Sequence, residues 1–122
     1  MKKKVLVVED DKDFLEIVLL TLGRAGYEVR PCMVGTDVLN TVAAFDPDLV
    51  VLDVMLPGVD GYTLRRRLAD QPTTKDLPVV ILTALEPSRT LFNERKTTFL
   101  TKPVRIEHLL EAVSKALDSN HG

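Results

Sequence analysis

Cysteine is nearly absent from this chain, because Cys32 is the one cysteine among 122 residues. A single thiol excludes an internal disulfide and a metal site made of several cysteines. An excess of either charge is also missing, since 16 Lys and Arg stand against 18 Asp and Glu and the net charge is -2. The charge balance therefore indicates neither nucleic acid nor a membrane surface as a direct partner.

Long apolar runs are missing from the N-terminal segment. The apolar run from Val5 to Val8 is followed at once by Glu9, Asp10 and Asp11. This run is too short for the core of a signal peptide, roughly 7 to 15 residues, or for a membrane span of about 20. We therefore expect a cytoplasmic protein, and the length fits one domain over residues 1–122.

Five short strand candidates alternate with helical stretches along the chain. The strand candidates cover residues 4–8, 28–31, 49–52, 79–82 and 98–101. The helical stretches cover residues 13–24, 36–44, 62–70, 87–95 and 106–117. Strands and helices that alternate at this spacing predict an α/β fold, with a parallel sheet covered by helices on both faces.

The apolar content of the strand candidates predicts their order in the sheet. The first from Val5 onward, the third and the fourth are continuously apolar, as strands buried on both faces are, whereas the second and fifth are mixed and suit the edges. Right-handed crossovers and short connections then favour the order 2-1-3-4-5, the doubly wound, flavodoxin-like arrangement. Ligands of such sheets bind beyond the carboxyl ends of the strands, where the strand order reverses.

Charged and polar side chains follow the strand candidates at that edge. Strand one is followed by Glu9 and Asp10, strand three by Asp53, strand four by Thr83 and strand five by Lys102. Clustered carboxylates repel one another unless a cation joins them, and hard oxygen ligands in an open pocket favour magnesium. The sequence therefore predicts a magnesium site at this edge.

Asp53 ends a run expected to be a buried strand, at the point where the chain turns outward. A carboxylate at this position is unfavourable for packing but well placed for a chemical role. A carboxylate can attack a phosphoryl donor and form an acyl phosphate. A metal ion would neutralise phosphoryl oxygens, while Lys102 would pair with another oxygen and Thr83 would donate a hydrogen bond. These residue types together predict a phosphoryl-acceptor site.

Four segments of the chain resemble the receiver domains of two-component response regulators. They are residues 7–11 (VVEDD), 53–61 (DVMLPGVDG), 82–84 (LTA) and 101–103 (TKP). The resemblance spans essentially the whole chain and implies a signalling phosphoacceptor that assists its own phosphorylation and dephosphorylation, not an enzyme. It also implies a partner that donates phosphate, either a histidine kinase or a histidine phosphotransfer domain.

By that resemblance Asp53 is the phosphorylation site and also a magnesium ligand. Asp10 would ligate magnesium directly, and Glu9 would act either directly or through water. The backbone carbonyl of Met55 would complete the protein's ligands.

The resemblance also assigns the residues that bind the phosphoryl group and transmit its arrival. Thr83 and Lys102 would bind the phosphoryl oxygens, and Phe99 would be the aromatic switch residue. A cis peptide would precede Pro103, which is reasonable because the cis form costs little before proline. By analogy the kinase would dock on the first helix, around residues 14–22.

The chain departs from typical receivers between Thr83 and Lys102, where it is a few residues shorter. We therefore expect the helix over residues 87–95 to be short or irregular, and dimerisation through it is not assumed. Met55 and Leu85 hold the positions that flank the route of hydrolytic water in the family, and these apolar side chains predict slow autodephosphorylation.

Several neighbouring residues are expected to be structural. Asp11 and Asp13 can cap the first helix, and Asp60 with Gly61 can form a turn. The side chain of Met55 is expected to fill a gap. The chain ends soon after the last predicted helix, so we expect no output domain, and a stand-alone regulator, a relay intermediate and an excised receiver stay open.

Two other classes of function compete with a phosphoacceptor. A magnesium-dependent phosphohydrolase would need its nucleophile after the first strand in an Asp-x-Asp pattern, whereas Asp53 follows the third strand with Met55 two residues later. A phosphorylation-independent interaction module, a pseudo-receiver, would keep the fold without the chemical residues, yet none of them is missing here.

Overall fold

The computed structural model describes residues 2–56, 58–84 and 97–119. Its strands are β1 (Lys4–Val8), β2 (Glu28–Cys32), β3 (Leu49–Asp53), β4 (Met55–Leu56), β5 (Val59–Asp60), β6 (Val79–Thr83) and β7 (Thr97–Thr101). Its helices are α1 (Lys12–Arg24), α2 (Val38–Phe45), α3 (Gly61–Ala69) and α4 (Ile106–Ser119), and a 3-10 turn over Gly35–Asp37 leads into α2.

Five strands form one parallel sheet in the order β2-β1-β3-β6-β7. This confirms the order predicted from the sequence, because β4 and β5 pair only with each other, in a short antiparallel hairpin after β3. The central strands β3 and β6 are buried throughout, whereas both edge strands are largely half-buried or exposed. Continuous apolar runs therefore identified the strands that helices cover on both faces.

Two apolar clusters cover the two faces of the sheet. On the α1/α4 face, side chains such as Val18 of α1 pack with Val51 of β3. On the α2/α3 face, side chains such as Leu64 of α3 pack with Leu52 of the same strand. Successive residues of a strand point to opposite faces, so each central strand contributes to both clusters.

A side-chain cap begins α1 and a glycine follows its end. The Asp11 carboxylate accepts the backbone N–H groups of Asp13 and Phe14 at 3.0 and 3.3 Å, so Asp11 is the cap that the sequence predicts. The helix runs past Gly23 and ends at Arg24, the end that the sequence predicts. Gly26, with a φ of 102°, takes the left-handed conformation beyond the helix end.

The remaining differences from the predicted elements are small. Observed and predicted boundaries differ by one or two residues, and α2 begins later because Gly35–Asp37 form the 3-10 turn. The helix predicted over residues 87–95 lies outside the described residues. Within the part of the chain that the structure describes, no helix combines the length and apolarity needed to cross a membrane.

Candidate functional site

The end of β1 places two carboxylates in different surroundings. Glu9 is buried, and its backbone N–H donates to the carbonyl oxygen of Cys32 in β2 at 3.0 Å. Its carboxylate oxygen Oε2 accepts the backbone N–H of Asp11 at 3.1 Å. Asp10 is exposed. The Glu9 side chain is thus fixed by the start of α1, while Asp10 is open to solvent.

Asp53 ends the central strand β3 and is only 2% exposed. Its oxygen Oδ1 accepts the backbone N–H of Met55 at 3.0 Å, and its oxygen Oδ2 pairs with the Nζ ammonium of Lys102 at 2.9 Å. A buried carboxylate is destabilising unless it is paired and hydrogen-bonded. Lys102 and the backbone of Met55 together supply the pairing and the hydrogen bond that this buried side chain needs.

Glu9, Asp10 and Asp53 form a cluster of carboxylates. Each offers one oxygen, and these oxygens all lie within 4.8 Å of one another. Burial, followed by a hydrogen bond with Asp53, raises the pKa of Glu9 to about 7. Because two of these groups are buried and a third is exposed, the cluster is a set of hard oxygen donors open to solvent on one side. These residues therefore fit the magnesium ion that the sequence predicts.

The ends of β6 and β7 bring Thr83 and Lys102 to the same edge. The backbone N–H of Lys102 donates to the carbonyl oxygen of Thr83 at 2.7 Å, which extends the pairing of the two strands. The peptide bond between Lys102 and Pro103 is cis, as the resemblance implies. The Thr83 side chain is buried, and its hydroxyl oxygen lies 3.2 Å from the hydroxyl oxygen of Tyr62.

The chain after β3 turns back tightly against the end of that strand. Gly61 donates its backbone N–H to the carbonyl oxygen of Val54 at 3.0 Å. A Cβ atom at Gly61 would lie 2.7 Å from the Cα of Val54 and 2.8 Å from the carbonyl oxygen of Asp53. Only glycine fits this approach, so the residue type at position 61 determines how closely α3 begins beside Asp53.

These groups surround a cavity of about 400 Å³ at the carboxyl edge of the sheet. The three clustered carboxylates, Asp11 and Lys102 contribute the charged part of its lining. Phe14, Met55 and Val104 contribute apolar surface at the same cavity. The charged groups of the cavity therefore suit a small anion bound together with a cation. Apolar side chains form the rim beside them.

A family model described as the response regulator receiver domain matches residues 5–114. The chain belongs to the response regulator receiver family. Receiver domains are signalling phosphoacceptors of two-component systems and not enzymes in the usual sense, and response regulators partner with histidine kinases. The family typically binds magnesium at an acidic pocket.

Named relatives of this receiver include proteins of several kinds. The DNA-binding dual master transcriptional regulator RpaA of Synechocystis is 35% identical over 117 residues, which cover 93% of this chain and 48% of that protein. A receiver domain of a signal transduction histidine kinase from Syntrophus aciditrophicus has a TM-score of 0.86 at 30% identity, covering 96% of this chain and 91% of that one. The chemotaxis response regulator CheY4 of Vibrio cholerae has a TM-score of 0.84 at 29% identity, covering 95% and 99%.

The receiver corresponds to only a part of the first curated relatives that it matches. It spans 48% of RpaA, and 24% and 53% of two further relatives. The activities of those whole proteins are therefore not assigned to this receiver.

The residues predicted for the site occupy two groups in the receiver. Glu9, Asp10, Asp53, Met55 and Lys102 line one cavity together. Thr83 lies at the adjacent strand end, buried beside Tyr62, while Phe99 of β7 is half-buried and packs on the α2/α3 face.

Two structural expectations near the site are wrong. The side chain of Met55 fills no gap, because it is 70% exposed. Asp60 and Gly61 do not form a turn: Asp60 pairs with Met55 in the hairpin and then caps α3, of which Gly61 is the first residue. The Asp60 side chain still makes the local bond typical of aspartate, since it accepts the backbone N–H of Tyr62 two residues on.

Tyr62 is absent from the residues that the sequence predicts for the site. Its hydroxyl reaches Thr83 although the two residues are 21 positions apart. One signal was available, since Tyr62 is one of only two tyrosines and directly follows the conspicuous Asp60-Gly61 pair. Which hydroxyl it would meet depends on how α3 packs against β6.

Proposed function

We propose that this receiver accepts a phosphoryl group on Asp53 from a phosphohistidine, in a magnesium-dependent transfer. The donor is a histidine kinase or a histidine phosphotransfer domain. The observation that carries the proposal is the environment of Asp53, a buried strand-end carboxylate paired with Lys102 at 2.9 Å and clustered with Glu9 and Asp10. Such a concentration of charge at the mouth of a cavity suits phosphoryl transfer and serves no purpose in packing.

In the transfer, a carboxylate oxygen of Asp53 forms a bond to phosphorus as the bond from phosphorus to the donor imidazole nitrogen breaks. The departing nitrogen takes the electron pair of that bond, and the imidazole leaves as a neutral ring because its other nitrogen carries a proton. Lys102 already lies beside the accepting carboxylate, so its ammonium is in place to pair with an incoming phosphoryl oxygen.

Magnesium in this proposal is held by Glu9, Asp10 and Asp53, with the backbone carbonyl of Met55 as a further ligand. Asp10 would bind the ion directly, and Glu9 would bind it either directly or through a water molecule. Bound there, the ion would neutralise phosphoryl oxygens and orient the group for attack. Binding of the ion would favour the ionised form of Glu9, whose pKa burial and Asp53 raise to about 7.

The phosphoryl group acts on the surface formed by β6 and β7. Thr83, at the end of β6, would turn to donate its hydroxyl hydrogen to a phosphoryl oxygen. Phe99 would follow because it pairs with Ile81, which lies two residues before Thr83 in β6. Both Phe99 and Ile81 pack on the α2/α3 face. The phosphate then shifts an existing equilibrium between two arrangements of this surface.

Phosphorylation by a small donor tests the acceptor role. Wild type, Asp53→Asn and Asp118→Asn are incubated with acetyl phosphate, with and without magnesium, and their intact masses are measured. Asp118 is an exposed carboxylate near the end of α4 and serves as the matched control. We expect one phosphoryl group on wild type and on the control only with magnesium, and none on Asp53→Asn.

Absence of magnesium-dependent incorporation into folded wild type would contradict the proposal. The phosphorylation-independent interaction module would then be the better description of this receiver.

A further inference from the structure

Asp53 and Thr83 start from opposite faces of the sheet. Asp53 pairs with Leu82, and residues paired across these parallel strands share a face, as Val51 and Val80 do on the α1/α4 face. Leu82 belongs to the α1/α4 cluster, so Asp53 is directed to that side. Thr83 is the next residue along and is directed to the other side. The described residues that line the cavity beside Asp53 do not include Thr83.

On the α2/α3 face the Thr83 hydroxyl meets Tyr62. The two hydroxyl oxygens are 3.2 Å apart, a hydrogen-bonding distance in which either can donate. The Tyr62 ring packs against the buried cluster of that face, as Phe99 also does. Thr83 is therefore held, in this arrangement, by a group on the far side of the strand from Asp53.

The backbone of Tyr62 is firmly anchored. Its N–H donates to the Asp60 carboxylate at 2.7 Å in the first turn of α3. The preceding residue, Gly61, is bonded to the carbonyl of Val54 and fits closely against the end of β3. The phenol thus reaches Thr83 from a backbone that is held by these contacts.

We propose that Tyr62 is a positioning residue that holds the Thr83 hydroxyl on the α2/α3 face and opposes the phosphorylated arrangement. The inference rests on the proposed function, in which Thr83 donates to a phosphoryl oxygen on Asp53. Because the Asp53 site lies on the other face of the sheet, Thr83 has to turn away from Tyr62 to do so. A neutral side-chain hydrogen bond of this kind corresponds to a factor of about 5 in an equilibrium constant.

The same contact connects the phosphoryl site with α3. Ile81 and Phe99 are paired neighbours on the face where Tyr62 lies, so release of Thr83 changes the surroundings of Tyr62 and Phe99 together. Phosphorylation would therefore be sensed at the start of α3 as well as at the β6 and β7 surface.

The test measures affinity for beryllium trifluoride, a tetrahedral phosphoryl mimic, in saturating magnesium by fluorine NMR. Wild type, Tyr62→Phe, Thr83→Val, the double variant and Asp53→Asn are compared. Tyr62→Phe removes only a hydroxyl and is expected to bind the mimic about fivefold more tightly. Tyr27→Phe is the matched control, since Tyr27 packs on the opposite, α1/α4 face. Its affinity should equal that of wild type.

Two further readouts separate positioning from general stability. Magnesium affinity without the mimic should be the same in wild type and Tyr62→Phe, because the ion does not require Thr83 to move. In the Thr83→Val background the Tyr62 substitution should leave the affinity for the mimic unchanged, because the hydroxyl that Tyr62 holds is gone.

The inference is overturned if Tyr62→Phe binds the mimic no better than wild type. It is equally overturned if the gain persists in the Thr83→Val background or extends to magnesium alone. If wild type itself binds no mimic with magnesium, the proposed function fails and the inference fails with it. If wild type binds, Asp53→Asn does not, and Tyr62→Phe matches wild type, only the inference fails.

Discussion

Glu9 carries its negative charge in an unfavourable environment. Burial, together with the hydrogen bond and the charge of Asp53, raises its pKa from the ordinary 4.5 to about 7. The folded state therefore binds a proton on Glu9 more tightly than the unfolded state does. The resulting contribution to stability is fully present below pH 4.5 and is lost as pH rises through about 7. Above that range Glu9 destabilises the metal-free fold.

Glu9→Gln should stabilise the metal-free receiver at pH 8 and leave it nearly unchanged at pH 4.5. The expected gain in free energy of unfolding at pH 8 is roughly 1 to 3 kcal/mol, because the penalty of a buried charge disappears. Urea unfolding in the presence of a chelator at both pH values measures it. Glu111→Gln, at an exposed ion pair with Lys115 on α4, is the control and should change little at either pH. An equal gain at both pH values would rule out the charge as the cause.

The side chain of Met55 stands at the cavity without a polar group that could orient water. It is 70% exposed and lines the cavity beside Asp53, while Leu85, its apolar counterpart from the sequence, lies outside the described residues. An apolar group at this place neither activates nor positions a hydrolytic water molecule, so we expect a long-lived phosphorylated form.

Met55→Asn should speed the loss of phosphate from phosphorylated receiver by about fivefold, since one added hydrogen bond to water corresponds to roughly 1 kcal/mol. Release of inorganic phosphate after removal of the donor measures this rate. Met33→Asn, at an exposed methionine that is not among the described residues lining the cavity, is the control. A slower variant would argue against the idea.

At the level of elements, the hairpin of β4 and β5 and the start of α3 form one compact unit beside Asp53. Asp60 is shared by both, because it pairs with Met55 and also caps the helix. Gly61 then lies against the backbone at the end of β3, where a Cβ atom would lie 2.7 Å from the Cα of Val54. The position of Tyr62, and so its reach to Thr83, depends on this close approach.

Gly61→Ala should lower the free energy of unfolding by roughly 1 to 3 kcal/mol, because the methyl group overlaps backbone atoms that cannot rotate away. Gly23→Ala is the matched control, since nothing lies within 4 Å of a Cβ there and the residue is inside α1. It should stabilise by roughly 0.5 to 1 kcal/mol through the helix preference of alanine. Denaturant unfolding of both variants measures these changes in the free energy of unfolding. A Gly61→Ala variant as stable as wild type would contradict the close approach.

At the scale of the whole molecule, the sheet is stabilised by both of its faces at once. Leu22 of α1 is fully buried in the α1/α4 cluster, and Leu64 of α3 is almost equally buried in the α2/α3 cluster. The central strands contribute alternate residues to each cluster, so neither helix layer has a core independent of the other. We therefore expect the two faces to unfold together.

Leu22→Ala and Leu64→Ala should each lower the free energy of unfolding by roughly 2 to 5 kcal/mol. Leu20→Ala, on the same helix as Leu22 but 56% exposed, should stay within about 0.5 kcal/mol of wild type. Denaturant unfolding followed by two probes, the circular dichroism of the helices and tyrosine fluorescence, measures the effects. Separate transitions for the two probes would show that the faces unfold independently.

The sequence by itself determined the strand order and, through it, the edge where the functional side chains meet. Continuous apolar runs identify strands covered on both faces, and the carboxyl ends of parallel strands share one edge. Glu9, Asp10 and Asp53 could therefore be placed near Lys102 without any distance being known. These inferences need only local patterns and the chirality of the chain.

Only the tertiary structure decided how these groups act on one another. The raised pKa of Glu9, the exposure of Met55 and the capping role of Asp60 depend on which atoms meet after folding. The contact of Tyr62 with Thr83 is the clearest case, because it joins two elements whose separation along the chain carries no information about a distance of 3.2 Å. Side-chain contacts of this kind arise from packing, which local sequence patterns do not encode.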